Sequence, residues 1–174
     1  MIEFVFYGRG GQGAKTSGEL LAEAALLEGK YVQAFPEYGP ERRGAPTRAF
    51  VRIDKKEIRL HEPILNPDFT IIFDESLIKL VENKDTVAII NSRSEIKDFK
   101  ENYVVDATQI SYNIFGRPMP NTVLLGSLIK VSNVVKLDSL IKVVEQLFSK
   151  KYNQEIVNKN FELVRKGFEL VRKV

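Results

Sequence analysis

Apolar and polar positions along this chain follow two periods, which predict short strands interleaved with helices. An apolar run at residues 2–7 predicts a first strand, and a helical stripe over residues 14–28 predicts a helix that Gly29 ends. Residues 31–35 predict a second strand. This order is typical of a βαβ unit, so we expect a parallel sheet.

In the next segment, apolar residues occupy every second position, as in a strand. Residues 47–53 and 57–61 predict a hairpin around residues 54–56. Its apolar face is formed by Ala49, Val51, Ile53, Ile58 and Leu60, and its other face by Arg48, Arg52, Arg59 and His61. The basic face is either a solvated surface or one that meets an acidic partner or an anionic ligand. His61 itself is predicted to be a surface residue.

The second half predicts a mainly parallel sheet with covering helices. Further strands are predicted at residues 69–73, 86–90 and 103–105, and a short helix at residues 76–81. Asn121 and Asp138 are each predicted to cap a helix. A final helical stripe is made by Val157, Phe161, Val164, Phe168 and Val171. Gly167 interrupts that stripe, which predicts a bend or a close contact.

The predicted fold class is therefore α/β. We expect one domain over residues 1–174, with a Rossmann-like mixed, mostly parallel sheet flanked by helices, a β-hairpin and a C-terminal helix.

A glycine-rich loop joins the first strand to the first helix, in the context of a phosphate-binding turn. Its glycines and the helix N-terminus would bring backbone N–H groups close to an anion. The candidate residues are Gly8, Arg9, Gly10, Gly11, Gln12, Gly13, Lys15 and Thr16. NAD or ATP is less favoured than a general anion site or tight helix–sheet packing. Glu37 is a poor ribose ligand, and Lys15 comes one residue too late for a Walker loop.

The loop at residues 35–46 combines three prolines, two glycines, two adjacent arginines, two glutamates and a tyrosine. Prolines stiffen it, and rigid loops with exposed charge commonly make contacts. It is either a docking or ligand-clamping loop, or a long turn with a solvated charge pair.

Composition excludes several classes of function. A net charge of +3 with interspersed charges argues against nucleic-acid binding. The chain has no cysteine and a single histidine, which excludes thiolate metal sites and makes a histidine-based triad untenable. A strand from Ile2 leaves no room for a signal peptide, and no apolar run approaches the ~20 residues of a membrane span. We therefore expect a cytoplasmic chain that holds no metal.

The glycine loop, the helix ending near Gly29-Lys30 and the segment Gln33–Pro46 together resemble the gamma subunit of the 2-oxoacid:ferredoxin oxidoreductases. The Pro-Glu-Arg-Arg-Gly-Ala-Pro sequence is most similar to the pyruvate and branched-chain types. Asn66-Pro67-Asp68 and Asn121 also resemble that family, so the likeness extends over essentially the whole chain, as one gamma-type domain like catalytic domain III.

The resemblance implies oxidative decarboxylation: pyruvate and coenzyme A give acetyl-CoA, carbon dioxide and reduced ferredoxin. It implies alpha-, beta- and delta-type partner subunits that carry thiamine diphosphate, magnesium and [4Fe-4S] clusters. This chain alone would bind no cofactor and be inactive, with coenzyme A contacted at an interface and ferredoxin reached through the complex. The alternative is a stand-alone nucleotide-binding regulatory module.

The resemblance also implies roles for individual residues, although no catalytic residue is predicted. The glycine loop from Gly8 to Gly13, Thr16, Arg42 and Arg43 are the expected cofactor contacts. Arg42 and Arg43 either hold coenzyme A phosphates or pair with partner carboxylates. The expected interface residues are Pro36, Glu37, Tyr38, Gly39, Pro40, Glu41, Gly44 and Pro46.

Overall fold

The computed structural model describes residues 1–37 and 43–174, which form one seven-stranded sheet with its helices. The strands are β1 (Ile2–Arg9), β2 (Tyr31–Pro36), β3 (Pro46–Asp54), β4 (Phe69–Ile72), β5 (Val87–Asn91), β6 (Glu101–Val105) and β7 (Arg172–Lys173). The helices are α1 (Ala14–Leu27), α2 (Ala107–Phe115), α3 (Pro120–Ser132), α4 (Leu137–Phe148) and α5 (Gln154–Leu170), with a 3-10 helix at Glu75–Leu80. None of the helices in the described ranges has the length and apolarity to cross a bilayer.

The sheet runs in the order β2-β3-β1-β4-β5-β6-β7. Strands β1, β4, β5 and β6 are parallel neighbours, whereas β2, β3 and β7 pair antiparallel. A mixed sheet that is parallel in its middle and flanked by helices was predicted, and that prediction is confirmed.

Two details of strand pairing were predicted wrongly. β3 lies between β1 and β2, so the two strands of the expected βαβ unit point the same way without being neighbours. Residues 57–61 form no strand, so the hairpin with residues 47–53 does not exist; β3 pairs with β1 and β2 instead. The alternation in β3 identified a strand correctly, but it carries no information about distant partners.

The two faces of the sheet are covered differently. Alternate residues such as Phe4, Phe6 and Ile71 share a core with all five α-helices. The opposite residues, such as Val5 and Ile72, pack beneath the 3-10 helix and its neighbouring loops. Both faces are thus buried, as the continuous apolar strand at residues 69–73 predicted.

Helix starts differ from those expected. α3 begins at Pro120, where a missing N–H costs nothing, so Asn121 is its second residue rather than its cap. Asp138 is likewise the second residue of α4, where its charge favours the helix dipole. Helix α2 was not predicted; the Asp106 carboxylate caps it by accepting a hydrogen bond from the Gln109 N–H at 2.9 Å.

Helices α3 and α5 approach each other through two glycines. A Cβ built on Gly167 would lie 1.9 Å from the Val123 carbonyl oxygen, and one built on Gly126 would lie 1.9 Å from that of Val164. The Ser127 hydroxyl donates to the Gly167 carbonyl at 2.9 Å. Gly167 therefore marks a close contact, which was one of the two predictions for that position.

Candidate functional site

A crevice of about 440 Å³ opens where the parallel strands end. Its walls come from the turns after β1, β4 and β5 and from the starts of α2 and α3. The lining residues are Gly11, Gln12, Phe73, Asp74, Glu75, Asn91, Thr108, Pro118, Met119, Pro120 and Asn121. The carboxyl edge of an open α/β sheet is the usual place for a ligand, so this crevice is the candidate site.

The glycine loop forms one wall of this crevice, and its glycines serve different purposes. A Cβ on Gly8 would lie 2.9 Å from the Ala14 Cβ, so this position needs glycine for close packing of α1. Gly13 has a φ of 88° and lies against Asn121. Gly11 has a φ of 93° and open space around it. The loop thus packs tightly at both ends and exposes its middle to the crevice.

Charges around the crevice do not match a phosphate site made by side chains. Among its described lining residues there is no lysine or arginine, and Glu75 is an exposed carboxylate. Helices α1 and α3 both begin without a side-chain cap. The backbone N–H groups at these two helix N-termini are therefore the groups that could attract an anion. Lys15 is exposed and Thr16 half-buried on α1, and neither lines the crevice.

The polar lining is partly committed to holding the crevice together. The Asn91 side-chain amide donates to the Phe73 carbonyl at 2.9 Å and to the Thr108 hydroxyl at 2.8 Å, and its carbonyl accepts from the Thr108 N–H. The side-chain carbonyl oxygen of Gln12 accepts a hydrogen bond from the backbone N–H of Arg9 at 2.8 Å. The side-chain N–H groups of Gln12 are left for a ligand. The arrangement suits hydrogen bonding to an uncharged polar group.

Arg9 uses its guanidinium for hydrogen bonds within the chain. Its guanidinium bonds Asp74, Ser76 and the carbonyl of Gly44. These contacts lie beside the crevice and join the glycine loop to the end of the proline-rich segment.

The ends of the proline-rich loop are fixed on the sheet. Pro36 is the last residue of β2 and Pro46 the first of β3. The Glu37 carboxylate accepts two hydrogen bonds from Arg48, which lower the pKa of Glu37. Gly44 and Arg43 are exposed, and Arg43 forms a bridge beside Gly10. The predicted contacts Tyr38, Gly39, Pro40, Glu41 and Arg42 lie outside the described residues.

Arg52, at the centre of the basic face predicted for the hairpin, makes its hydrogen bonds within the chain. Arg52 is 2% exposed and its guanidinium donates to Glu3, Gln33 and the Glu62 carbonyl, at 2.7, 2.8 and 2.7 Å. Arg59 and His61 are exposed, as predicted for His61. Because Arg52 is buried and each of its side-chain nitrogens already has a protein acceptor, an anionic ligand in solution cannot reach it.

Sequence reasoning found the glycine loop but missed Asp74, Asn91 and Thr108 as parts of the site. Asp74 and Asn91 are each a polar residue directly after a mainly apolar run of the sequence, residues 69–73 and 87–90 respectively. That signal is visible in the sequence, and it becomes specific once the two strands are known to be parallel neighbours.

Nearly the whole chain is similar to known proteins of one family. The model of the family described as pyruvate ferredoxin/flavodoxin oxidoreductase matches residues 3–170. Pyruvate synthase subunit PorC of Thermotoga maritima is 43% identical over 173 residues, covering 91% of this chain and 88% of the relative. The common gamma subunit of the pyruvate/ketoisovalerate oxidoreductases of Pyrococcus furiosus is 44% identical over 168 residues, covering 89% and 91%.

A solved structure extends the agreement to three dimensions. The crystal structure of the Thermotoga maritima pyruvate oxidoreductase subunit PORC superposes with a TM-score of 0.87 at 39% identity. The match covers 99% of this chain and 97% of that one.

Proposed function

The chain belongs to the pyruvate ferredoxin/flavodoxin oxidoreductase family, and on that premise we propose that it is the gamma subunit of a multi-subunit 2-oxoacid:ferredoxin oxidoreductase. The reaction assigned to the complex converts pyruvate and coenzyme A to acetyl-CoA and carbon dioxide, with electrons passed to ferredoxin. The observation that supports the proposal most is the extent of the alignments with relatives that are themselves named as subunits. Each alignment covers about nine-tenths of this chain and about nine-tenths of the relative. If the chain were a stand-alone regulatory module, we would not expect its relatives to be named as subunits of an oxidoreductase.

We propose partner subunits for the cofactors of the reaction, and the composition of the chain supports this. The chain has no cysteine, so it cannot ligate an iron–sulfur cluster through thiolates. Within residues 1–37 and 43–174, no group of three or more histidine, aspartate or glutamate side chains could hold a metal ion. We therefore assign thiamine diphosphate, magnesium and the clusters to alpha-, beta- and delta-type subunits. A cytoplasmic location, suited to ferredoxin-linked chemistry and a cysteine-free chain, is part of the proposal.

Within the complex, we assign this chain a share of the coenzyme A site. The crevice offers amides and a hydroxyl from Gln12, Asn121 and Thr108, which suit the uncharged amide and adenosine portions of coenzyme A. No lining residue in the described part of the chain is a cation, so the phosphates need another contact. Arg43 is exposed next to Gly10 and has a guanidinium suited to phosphate, and Arg42 adjoins it in the sequence.

The subunit assignment is tested by purifying this chain with a tag from its native cells and assaying what accompanies it. We expect reduction of a one-electron dye that depends on both a 2-oxoacid and coenzyme A. The 2-oxoacid that gives the highest rate identifies the substrate. Recovery of the chain alone, folded and without activity, would contradict the proposal and favour the stand-alone module.

The coenzyme A role is tested by Arg43→Ala, alone and with Arg42→Ala, in the assembled enzyme. Losing a charge-assisted phosphate contact of about 1.5–3 kcal/mol should raise the KM for coenzyme A roughly tenfold or more, with kcat little changed. Arg165→Ala, an exposed arginine on α5, is the control and should leave the KM unchanged. An unchanged KM in an intact complex would exclude the ligand role, whereas loss of assembly would indicate docking on a partner subunit.

A further inference from the structure

The guanidinium of Arg9, at the end of β1, connects three separate parts of the chain. Its Nη1 donates to the Gly44 carbonyl at 3.1 Å, its Nε to Asp74 Oδ2 at 3.3 Å and its Nη2 to Ser76 Oγ at 2.5 Å. Gly44 belongs to the end of the proline-rich loop, Asp74 to the turn after β4, and Ser76 to the 3-10 helix that follows this turn. All three guanidinium nitrogens therefore have protein acceptors, in a geometry that a planar fork of donors matches.

Main-chain hydrogen bonds reinforce the same connection. The Gly10 N–H donates to the Ala45 carbonyl at 2.8 Å, and the Gly44 N–H donates to the Gly10 carbonyl at 3.0 Å. These two bonds fix Gly44 and Ala45 against the glycine loop, and Arg43 lies alongside Gly10. The exposed Arg43 side chain thus projects from a segment whose backbone is fixed next to the crevice.

The anchor for Arg9 is itself held rigidly. The Ser76 N–H and hydroxyl both donate to Asp74 Oδ1, at 2.9 and 2.6 Å, while Ser76 Oγ accepts from Arg9. The hydrogen bonds from Ser76, followed by the one from Arg9, lower the pKa of the Asp74 carboxyl. Asp74 also caps the 3-10 helix, so the anchor is continuous with the sheet.

We propose that Arg9 is a positioning residue: it holds the Arg43–Pro46 segment against the glycine loop so that Arg43 is presented to coenzyme A beside the crevice. The inference rests on the proposed function for its last step only. Arg9 acts on the segment and not on the ligand in this proposal, because three of its five N–H donors hold its guanidinium against Gly44, Asp74 and Ser76. A lysine at this position keeps the charge but cannot reach Asp74, Ser76 and Gly44 together.

The backbone part of the proposal is tested by hydrogen exchange on Arg9→Lys. Exchange of the Gly10 and Gly44 amides should become about tenfold faster or more, since local opening of this segment becomes easier. Arg93→Lys is the matched control: Arg93 is an exposed arginine that also bonds two side chains, Asp106 and Gln109, but does not touch the loop. Unchanged exchange in Arg9→Lys would overturn the proposal, and this measurement needs no coenzyme A.

The functional part is tested in the assembled enzyme by combining Arg9→Lys with Arg43→Ala. Arg9→Lys alone should raise the KM for coenzyme A severalfold, by about a factor of five, with kcat within about twofold. In the Arg43→Ala background the same substitution should have almost no further effect, because Arg9 acts through Arg43. A full Arg9→Lys effect in that background would overturn the proposal.

The two tests also separate this inference from the proposed function. If Arg43→Ala leaves the KM for coenzyme A unchanged, the coenzyme A assignment fails, and with it the last step of the inference. Faster exchange of the Gly44 amide in Arg9→Lys would still establish that Arg9 holds the segment.

Discussion

Gly167→Ala is expected to destabilise the chain by about 3 kcal/mol or more, or to prevent folding. A Cβ at this position would lie 1.9 Å from the Val123 carbonyl oxygen, 2.7 Å from its carbonyl carbon and 3.0 Å from its Cα. These are backbone atoms of α3, which cannot rotate away as a side chain can. Alanine would gain about 1 kcal/mol in helix propensity, but separating α3 from α5 would cost more. Urea denaturation followed by circular dichroism measures the difference.

Gly18→Ala in α1 is the matched control for this prediction. There, the new Cβ would lie 3.2 Å from Val51 Cγ2 and 3.7 Å from Ala49 Cβ, so only side-chain atoms need to shift. The change in the free energy of unfolding should stay within about 1 kcal/mol, because the crowding and the gain in helix propensity oppose each other. Equal effects of the two substitutions would contradict the close helix–helix contact.

The elements of this fold were predictable from the sequence where the pattern is local. The stripe from Val157 to Val171 identified α5, and apolar residues at every second position within residues 47–53 identified β3. Pairing depends on distant residues, which is why the position of β3 between β1 and β2 was not foreseen. Helix α2 was missed although Asp106 directly before Ala107 is a suitable cap.

The candidate site was predictable in part for the same reason. The glycine loop is a contiguous motif, so the sequence placed it correctly at the start of α1. Asp74, Asn91 and Thr108 come from three separate parts of the chain, and the parallel pairing of β4 with β5 and of β5 with β6 brings them together. The hydrogen-bond partners of Arg9 and Arg52 could not be predicted either, because a sequence does not show which acceptors surround a guanidinium.

The other large effect is expected at Arg52, which holds the segment after β3 against the sheet. Its guanidinium bonds Glu3, Gln33 and the Glu62 carbonyl while its side chain is only 3% exposed. Arg52→Ala would leave the mostly buried carboxylate of Glu3 and the side-chain carbonyl oxygen of Gln33 without the donor that Arg52 supplies. Breaking such a buried pair costs about 3–5 kcal/mol, and partial exposure of Glu3 brings our expectation to about 2–4 kcal/mol.

Arg59→Ala provides the comparison, because the Arg59–Glu57 pair has side chains 83% and 62% exposed. Its removal should change the free energy of unfolding by less than about 0.5 kcal/mol, as is usual for solvated ion pairs. Added salt should also leave the stability lost in Arg52→Ala largely unchanged, since buried pairs are weakly screened. Denaturation of both variants at low and high ionic strength measures these differences. Similar small losses for the two arginines would mean that Arg52 contributes no more than a surface charge, and that the segment ending at Glu62 is held by its apolar contacts instead.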